Sequence, residues 1–138
     1  MKKTAVVYWS GTGNTAAMAD LVLEGMKSGG ADAELIECSA VTDLAAYDAI
    51  AFGCPAMGSE QLEDSEFEPM FDGVKKKLAG KAVALFGSYG WGDGEWMRSW
   101  EDDCKAAGIK LACESVTVNG APEGDDAEAC RALGRALV

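Results

Sequence analysis

The chain has 138 residues, 49% of them hydrophobic, which is enough for one domain with a real core and too few for two. Its 23 acidic and 12 basic side chains give a formal net charge of −11, which disfavours binding to nucleic acid or to an anionic membrane and favours a basic protein partner. The absence of histidine excludes a Ser-His-Asp triad, a Cys-His pair and imidazole metal ligands.

Strands and helices are predicted to alternate along the chain. Strands are predicted at 4–9, 33–38, 49–53, 82–87 and 109–118, and helices at 14–28, 66–79, 94–107 and 124–137, with a short helical turn near 42–46. The first, third and fourth strands are continuous apolar runs, typical of strands buried on both faces, whereas the second alternates like an edge strand. The pattern predicts an α/β fold, a doubly wound five-stranded parallel sheet of order 2-1-3-4-5 with helices on both faces. The turns after strands 1, 3 and 4 then meet where such sheets bind ligands.

The first of these turns reads Ser10-Gly11-Thr12-Gly13-Asn14-Thr15. Its hydroxyl and amide side chains, together with the backbone N–H groups of a helix N-terminus, can hold a phosphate monoester without a cation. The run also reads G-x-G-x-x-A, and Glu37 closes the second strand, so a dinucleotide site is an alternative that the short chain and the many hydroxyl donors disfavour. A helix cap without a ligand is a third interpretation, and a Walker A loop is excluded because no Gly-Lys-Ser/Thr sequence occurs.

The second turn, Cys54-Pro55-Ala56-Met57-Gly58-Ser59-Glu60, follows the third strand. A phosphatase nucleophile at Cys54 would need an arginine six positions later, where the chain has Glu60, so a packed thiol is the better interpretation. The sequence from Met57 to Glu60 is typical of a tight turn whose peptide can adopt two orientations. Met57 suits contact with an aromatic ring, although taken alone it would be better interpreted as a core methionine.

The third turn, Gly87-Ser88-Tyr89-Gly90-Trp91-Gly92, follows the fourth strand. Its glycines allow the backbone to approach a ligand closely, and Trp91 has no apolar neighbour to pack on, so we expect an exposed indole that stacks on a flat heteroaromatic ring. Trp96 and Trp100, four residues apart on the next helix, are predicted to be core residues. The three turns together fit a phosphorylated planar cofactor, of which FMN is the simplest.

The three motifs Tyr8 to Thr15, Met57 to Glu60 and Gly87 to Gly92 resemble short-chain flavodoxins of anaerobic bacteria, in order and at the expected strands. The resemblance extends over essentially the whole chain and implies a single flavodoxin-like FMN-binding domain at 1–138. It implies that Ser10, Gly11, Thr12, Gly13, Asn14 and Thr15 bind the FMN phosphate. It further implies that the ring and ribityl chain are lined by Ala56, Gly87, Ser88, Tyr89, Gly90 and Gly92.

The resemblance also implies roles around the flavin ring. Met57 would contact the inner face of the ring and Trp91 would stack on the outer face. Glu60 would accept a hydrogen bond from flavin N3–H, and the Gly58 carbonyl would accept one from N5–H once the ring has gained an electron. The contribution of Ser59 to this turn is left open, because relatives differ at this position.

A low-potential one-electron carrier, and not an enzyme, is the function that the resemblance implies. It would replace ferredoxin and dock transiently, as a monomer, on basic patches of redox enzymes in the cytoplasm, with no nucleic acid or membrane partner. The start of the chain, without a signal-peptide pattern, and five cysteines without a C-x-x-C motif agree with a reducing cytoplasm. Fourteen of the 23 acids lie near the predicted site, in 59–68, 93–103 and 123–128, and should disfavour negative charge on the ring.

Two other protein classes remain as alternatives. An FMN-dependent NAD(P)H or quinone reductase on the same fold would need an additional nicotinamide site. A flavin-free receiver domain would need clustered acids at the end of strand 1 and a lysine at the end of strand 5, where this chain has Ser10 and no such lysine.

Overall fold

The computed structural model describes residues 2–58 and 60–138. In this part of the chain the elements are β1 Lys3–Tyr8, α1 Asn14–Ser28, β2 Asp32–Glu37, β3 Ala49–Gly53, α2 Phe67–Val74, β4 Ala82–Tyr89, α3 Glu95–Ala106, β5 Val116–Asn119 and α4 Asp125–Ala136. Neighbouring strands are all parallel, in the order β2-β1-β3-β4-β5, which confirms the predicted fold. None of the described helices is long and apolar enough to cross a membrane.

Helices cover both faces of the sheet, and each face has its own hydrophobic core. On one face, α2 and α3 contribute an aromatic cluster in which the rings of Phe67 and Phe71 each meet that of Trp100 edge to face. On the other face, α1 and α4 cover the sheet with aliphatic side chains such as Val22 and Leu133. The predicted core positions of Trp96 and Trp100 are confirmed, since their exposed fractions are 1% and 2%.

Helices α1 and α4 are in backbone contact. A Cβ atom at Gly25 would lie 2.0 Å from the carbonyl oxygen of Arg131, and one at Gly134 would lie 2.1 Å from the carbonyl oxygen of Val22. Only glycine allows this approach from both sides. The contact fixes α1, and with it the turn that precedes α1, against the rest of this face.

The last predicted strand, 109–118, is wrong over most of its length, because only Val116–Asn119 belongs to β5. Leu111 forms a single bridge with Val83, supported by the Ala112 N–H, which donates to the Val83 carbonyl at 2.8 Å. The chain then leaves the sheet until Val116. Ile109 and Leu111 pack against the core, so their apolar alternation reflects packing and not strand pairing.

Two helical predictions also need correction. The helical turn expected near 42–46 is wrong: a 3₁₀ turn spans Cys38–Ala40, and the Tyr47 N–H then closes a simple turn onto the Leu44 carbonyl at 3.2 Å. The helix expected at 66–79 ends at Val74 and tightens into a 3₁₀ turn at Lys75–Lys77. Such tightening is common at helix ends, and it occurs here where three lysines follow one another.

A buried carboxylate caps the start of α2. Glu63, whose exposed fraction is 6%, accepts the backbone N–H groups of Ser65, Glu66 and Phe67 at 3.0, 2.7 and 2.9 Å, and also the Ser65 hydroxyl. Burial acts to raise the pKa of Glu63, but the hydrogen bonds from Ser65, Phe67 and Glu66 outweigh it and lower the pKa to about 2. This cap therefore depends on the ionised carboxylate.

We expect Glu63→Gln to lower the free energy of unfolding at pH 7 by about 2–3 kcal/mol, measured by urea denaturation of the FMN-free protein. Because the folded pKa lies below the ordinary value of 4.5, the stabilisation is complete above pH 4.5 and is lost as the pH falls towards 2. The difference between wild type and variant should therefore shrink markedly at pH 3. Glu68→Gln, at an exposed acid in the first turn of α2, is the control and should change stability by less than about 0.5 kcal/mol. An equal difference at pH 7 and pH 3 would contradict this account of the cap.

Candidate functional site

The turns after β1, β3 and β4 converge at the carboxyl ends of their strands and enclose a cleft of about 240 Å³, here called the central cleft. Its walls are Trp9, Gly11, Thr12, Asn14, Pro55, Ala56, Met57, Ser88, Tyr89, Gly90 and Gly120. The structure thus brings together residues from all three of the predicted motifs. It also adds a wall from the turn after β5, because that strand lies beside β4.

Ser88 connects the segments around the central cleft. Its N–H donates to the Thr15 hydroxyl oxygen at 3.4 Å, and its carbonyl accepts the Ala56 N–H at 3.1 Å. Its own hydroxyl donates to the Gly120 carbonyl at 2.7 Å. Ser88 and Thr15 are both buried, so their side chains support the walls of the cleft from within.

The turn after β1 presents free backbone donors at the start of α1. The Ser10 hydroxyl oxygen accepts the N–H groups of Gly13 and Ala16, both at 3.2 Å, and so shapes the turn as a helix cap would. The N–H groups of Thr12, Asn14 and Thr15 donate to no other described residue. Free N–H groups at a helix N-terminus carry partial positive charge and attract an anion. The Ser10 bonds therefore agree with the helix-cap interpretation, and the phosphate cradle stays a prediction for the free N–H groups.

The turn after β3 is closed by a pair of backbone hydrogen bonds. The Met57 N–H donates to the Gln61 carbonyl at 2.9 Å, and the Gln61 N–H donates to the Met57 carbonyl at 3.2 Å. Inside the turn, Gly58 and Glu60 have positive φ angles of 28° and 52°. The prediction for Ser59 lies outside the described residues. The two bonds between Met57 and Gln61 agree with a tight turn in this segment, and its two peptide orientations stay a prediction.

Glu60 joins this turn to the one after β4. A Cβ atom at Gly92 would lie 2.5 Å from Oε1 of Glu60, so the carboxylate packs directly against the Gly92 backbone. This Oε1 atom is buried and finds no hydrogen-bond donor among the described residues. An unpaired buried acceptor is costly, so the atom is suited to an N–H donor supplied by a ligand. The ring N3–H of FMN is such a donor, and the cofactor fits the site in this respect.

Some predicted site residues do not line the central cleft. Trp91 extends into solvent with 63% of its surface exposed, which confirms the expected exposure of the indole. Gly87 lies inside β4, where a Cβ atom would meet the Cys54 carbonyl oxygen at 2.2 Å.

Cys54 is fully buried and accepts the Glu63 N–H at 3.4 Å, and burial raises the pKa of its thiol far above the ordinary value. The interpretation of Cys54 as a packed thiol is confirmed.

Sequence reasoning missed three walls of the central cleft, namely Trp9, Pro55 and Gly120. Trp9 and Pro55 immediately precede predicted contact residues, so their position could have been inferred from chain proximity. Gly120 follows β5, and the predicted strand order already placed the end of that strand beside β4. The signal was therefore in the topology and not in a local motif.

A family model described as flavodoxin matches residues 6–134 of the chain. The chain belongs to the flavodoxin family. A flavodoxin from Megasphaera elsdenii is 50% identical over 133 residues, 95% of each protein, and one from Clostridium beijerinckii is 46% identical over 125 residues, 89% of each. The solution structure of two-electron reduced Megasphaera elsdenii flavodoxin matches with a TM-score of 0.89 at 47% identity, covering 97% of each chain.

Membership of this family makes the protein an electron carrier that binds FMN and not an enzyme. The resemblance to short-chain flavodoxins of anaerobic bacteria is confirmed, since these relatives match it over nearly the whole chain. The reductase alternative is not favoured, because relatives of this similarity are flavodoxins.

The contact between Glu60 and Gly92 gives a prediction. Gly92→Ala would place a methyl group against the Glu60 carboxylate at a φ of +87°, a region that costs an L-residue about 1–2 kcal/mol. We expect the free energy of unfolding of the FMN-free protein to fall by about that amount in urea denaturation. Gly90→Ala, in the same loop but with open space and no positive φ, is the control and should stay within about 0.5 kcal/mol of wild type. Equal losses in the two variants would show that the Gly92 conformation is not required.

Proposed function

We propose that the chain forms a single domain whose central cleft holds one FMN, and that it acts as a monomeric, low-potential one-electron carrier. The observation that supports this best is the buried Oε1 of Glu60, which has no donor among the described residues. At the other end of the site, free N–H groups at the start of α1 await an anion. One ligand with a phosphate at one end and a ring N–H at the other satisfies both.

The turn after β1 would hold the phosphate. The N–H groups of Thr12, Asn14 and Thr15 would donate to its oxygens, together with the hydroxyl and amide side chains of the same turn. The Ser10 hydroxyl accepts two N–H groups and still has its own proton to donate. Gly11 and Gly13 would shape the backbone around the phosphate. The segment 8–16 contains no lysine or arginine, so attraction would come from N–H dipoles alone.

The turns after β3 and β4 would orient the flavin ring. When bound, FMN supplies two successive one-electron steps at this ring. Met57 would contact one face and Trp91 would cover the other, excluding water from it. Glu60 would hold the N3 proton, and the Gly58 carbonyl would hold a proton at N5. The remaining contacts to the ring and ribityl chain would come from Ala56, Ser88, Tyr89, Gly90 and Gly92, whereas Gly87, inside β4, would only position the loop that follows it.

Carboxylates near Glu60 support a low potential. Oxygen atoms of Glu60, Asp93 and Glu95 lie within 4.8 Å of one another, and Arg98 balances part of this charge by pairing with Asp93 at 3.0 Å. One unit charge about 8 Å from the ring, at an effective dielectric of about 20, disfavours added negative charge by about 2 kcal/mol. For one electron this corresponds to about 90 mV, because 59 mV is about 1.4 kcal/mol.

The charge distribution also supports transient docking to basic surfaces of ferredoxin-dependent redox enzymes. Acids are concentrated at the starts of α2 and α4, and Asp93 and Glu95 lie at the start of α3, all at the carboxyl edge of the sheet. Glu101, Asp102 and Asp103, which were also expected near the site, lie in the second half of α3, away from this edge. Opposite charges raise association rates while leaving small contacts short-lived. We place the protein in the cytoplasm, and its five free cysteines support a reducing compartment.

Stepwise anaerobic reduction tests the proposed function. The purified protein should bind FMN at one equivalent, release it on denaturation and take up electrons in two resolved one-electron steps, followed by visible spectra. NADPH alone should not reduce it. A protein that takes up two electrons in one unresolved step, or that oxidises NADPH catalytically, would contradict the proposal.

Glu60→Gln tests the proposal that negative charge near the ring lowers the midpoint potential. The amide oxygen can still accept the N3 proton, but the negative charge is lost, so the midpoint potential for the second electron should rise by several tens of millivolts at low salt. Glu114→Gln removes the same charge before β5, at the opposite edge of the sheet, and should shift that potential by less than about 10 mV. Spectroelectrochemical titration measures both, and equal shifts would contradict a specific role for Glu60.

A further inference from the structure

A second cleft, here called the β2-side cleft, lies on the other side of the turn after β1 and has a volume of about 470 Å³. It is bounded by the turn 10–13, the carboxyl end of β2 and the start of α2. Its side walls include Tyr8, Trp9, Glu37, Cys38, Ser39 and Glu66. Trp9, Gly11 and Thr12 are walls of both clefts, so the two clefts adjoin each other at the turn after β1. The turn 10–13 is shared with the proposed phosphate site, whereas Tyr8, Glu37, Cys38, Ser39 and Glu66 have no part in the proposed FMN site.

The β2-side cleft is acidic and partly aromatic. It has two carboxylates, Glu37 and Glu66, and no lysine or arginine among its walls. Glu66 is held in place by the Trp9 indole N–H, which donates to it at 3.1 Å. Burial and then the charges of Glu66, Glu63 and Glu37 raise the pKa of Cys38 to about 11. The negative field therefore reaches Cys38, a buried residue in the wall of the cleft.

The residues that line the β2-side cleft favour a cationic ligand over an anionic one. The G-x-G-x-x-A pattern with Glu37 had suggested a dinucleotide here, but the donors of the turn are assigned to the FMN phosphate, and the rest of an anionic nucleotide would meet the carboxylates of Glu37 and Glu66. A guanidinium group fits better, because it is always charged, binds carboxylates through paired N–H donors and stacks on aromatic faces. Both kinds of partner, carboxylate and aromatic ring, are present in this cleft.

We propose that the β2-side cleft receives an arginine side chain from the basic surface of a redox partner. This inference rests on the proposed function, since it names the group by which such a partner would be held. Glu37 and Glu66 would share the guanidinium, and the rings of Tyr8 and Trp9 would pack on its plane and its aliphatic stem. The arginine would be bound beside the phosphate turn, separate from the acids near Glu60.

The test uses the full-length FMN-loaded protein and the peptide acetyl-Gly-Arg-Gly-amide, followed by NMR. The Trp9 indole N–H, assigned by its loss in Trp9→Phe, should shift saturably as the peptide is added, because it bonds to Glu66. The citrulline peptide, which has the same shape without the charge, should cause no saturable shift. Equal shifts with both peptides, or shifts spread over all exposed acids, would overturn the proposal.

Matched variants distinguish peptide binding in this cleft from a general attraction of the peptide to the acidic surface. Glu37→Gln and Glu66→Gln should each weaken peptide binding at least fivefold. Glu37 makes no hydrogen bond to the Trp9 indole, so the Glu37→Gln variant changes binding without directly changing the group whose NMR signal is followed. Glu114→Gln carries the same charge change outside the cleft and should alter binding less than twofold. If it weakens binding as much as the cleft variants, the proposal is wrong.

A further readout uses electron transfer to ferricytochrome c, a basic acceptor, at low salt. The Glu37→Gln/Glu66→Gln variant should react at least threefold more slowly than Glu114→Gln at equal midpoint potential. FMN binding and the two one-electron steps are measured on the same samples. Loss of those properties would count against the proposed function, whereas an unchanged rate with intact properties would count against the arginine site alone.

Discussion

The hydrogen bonds of Ser88 hold together the edge of the sheet on which the site depends. One residue near the end of β4 binds the start of α1 through its N–H, the turn after β3 through its carbonyl and the turn after β5 through its hydroxyl. With an exposed fraction of 4%, Ser88 makes these bonds away from water, where an unsatisfied partner costs about 1–3 kcal/mol. The walls of the central cleft are therefore coupled, because a shift of any one segment would leave a buried polar group of another without its partner.

The start of α1 makes an anion site possible in a chain that as a whole repels anions. The formal charge of −11 is distributed over the surface and is screened within about 8–10 Å at ordinary salt concentrations. The N–H groups of Thr12, Asn14 and Thr15 would instead act at hydrogen-bond distance, where orientation decides the energy. A lysine would attract phosphate equally well, but it would also offset the negative field that supports a low potential. Neutral donors allow both properties in one small domain.

Much of this arrangement could be predicted from the sequence, and the exceptions have common causes. β1, β3 and β4 were predicted because burial on both faces gives continuous apolar runs, and the strand order followed from their alternation with helices. The segment 109–115 was misassigned because packing of Ile109 and Leu111 against the core gives the same alternation as a strand. The bond between Ser88 and Thr15 joins residues 73 positions apart, and the Glu63 cap depends on burial that the acidic segment around it does not indicate. Neither leaves a local pattern in the sequence.

The close contact of α1 with α4 has a consequence for the donors at the start of α1. Because Gly25 and Gly134 bring the two helix backbones together, α1 cannot slide or tilt without a clash against a carbonyl group. Its N–H dipoles therefore point in one direction whatever the charge on the neighbouring group. Dipoles that are oriented in advance bind an anion without first having to be rearranged. Two glycines on the far side of the sheet from the aromatic core would thus hold the phosphate donors in one arrangement in every redox state.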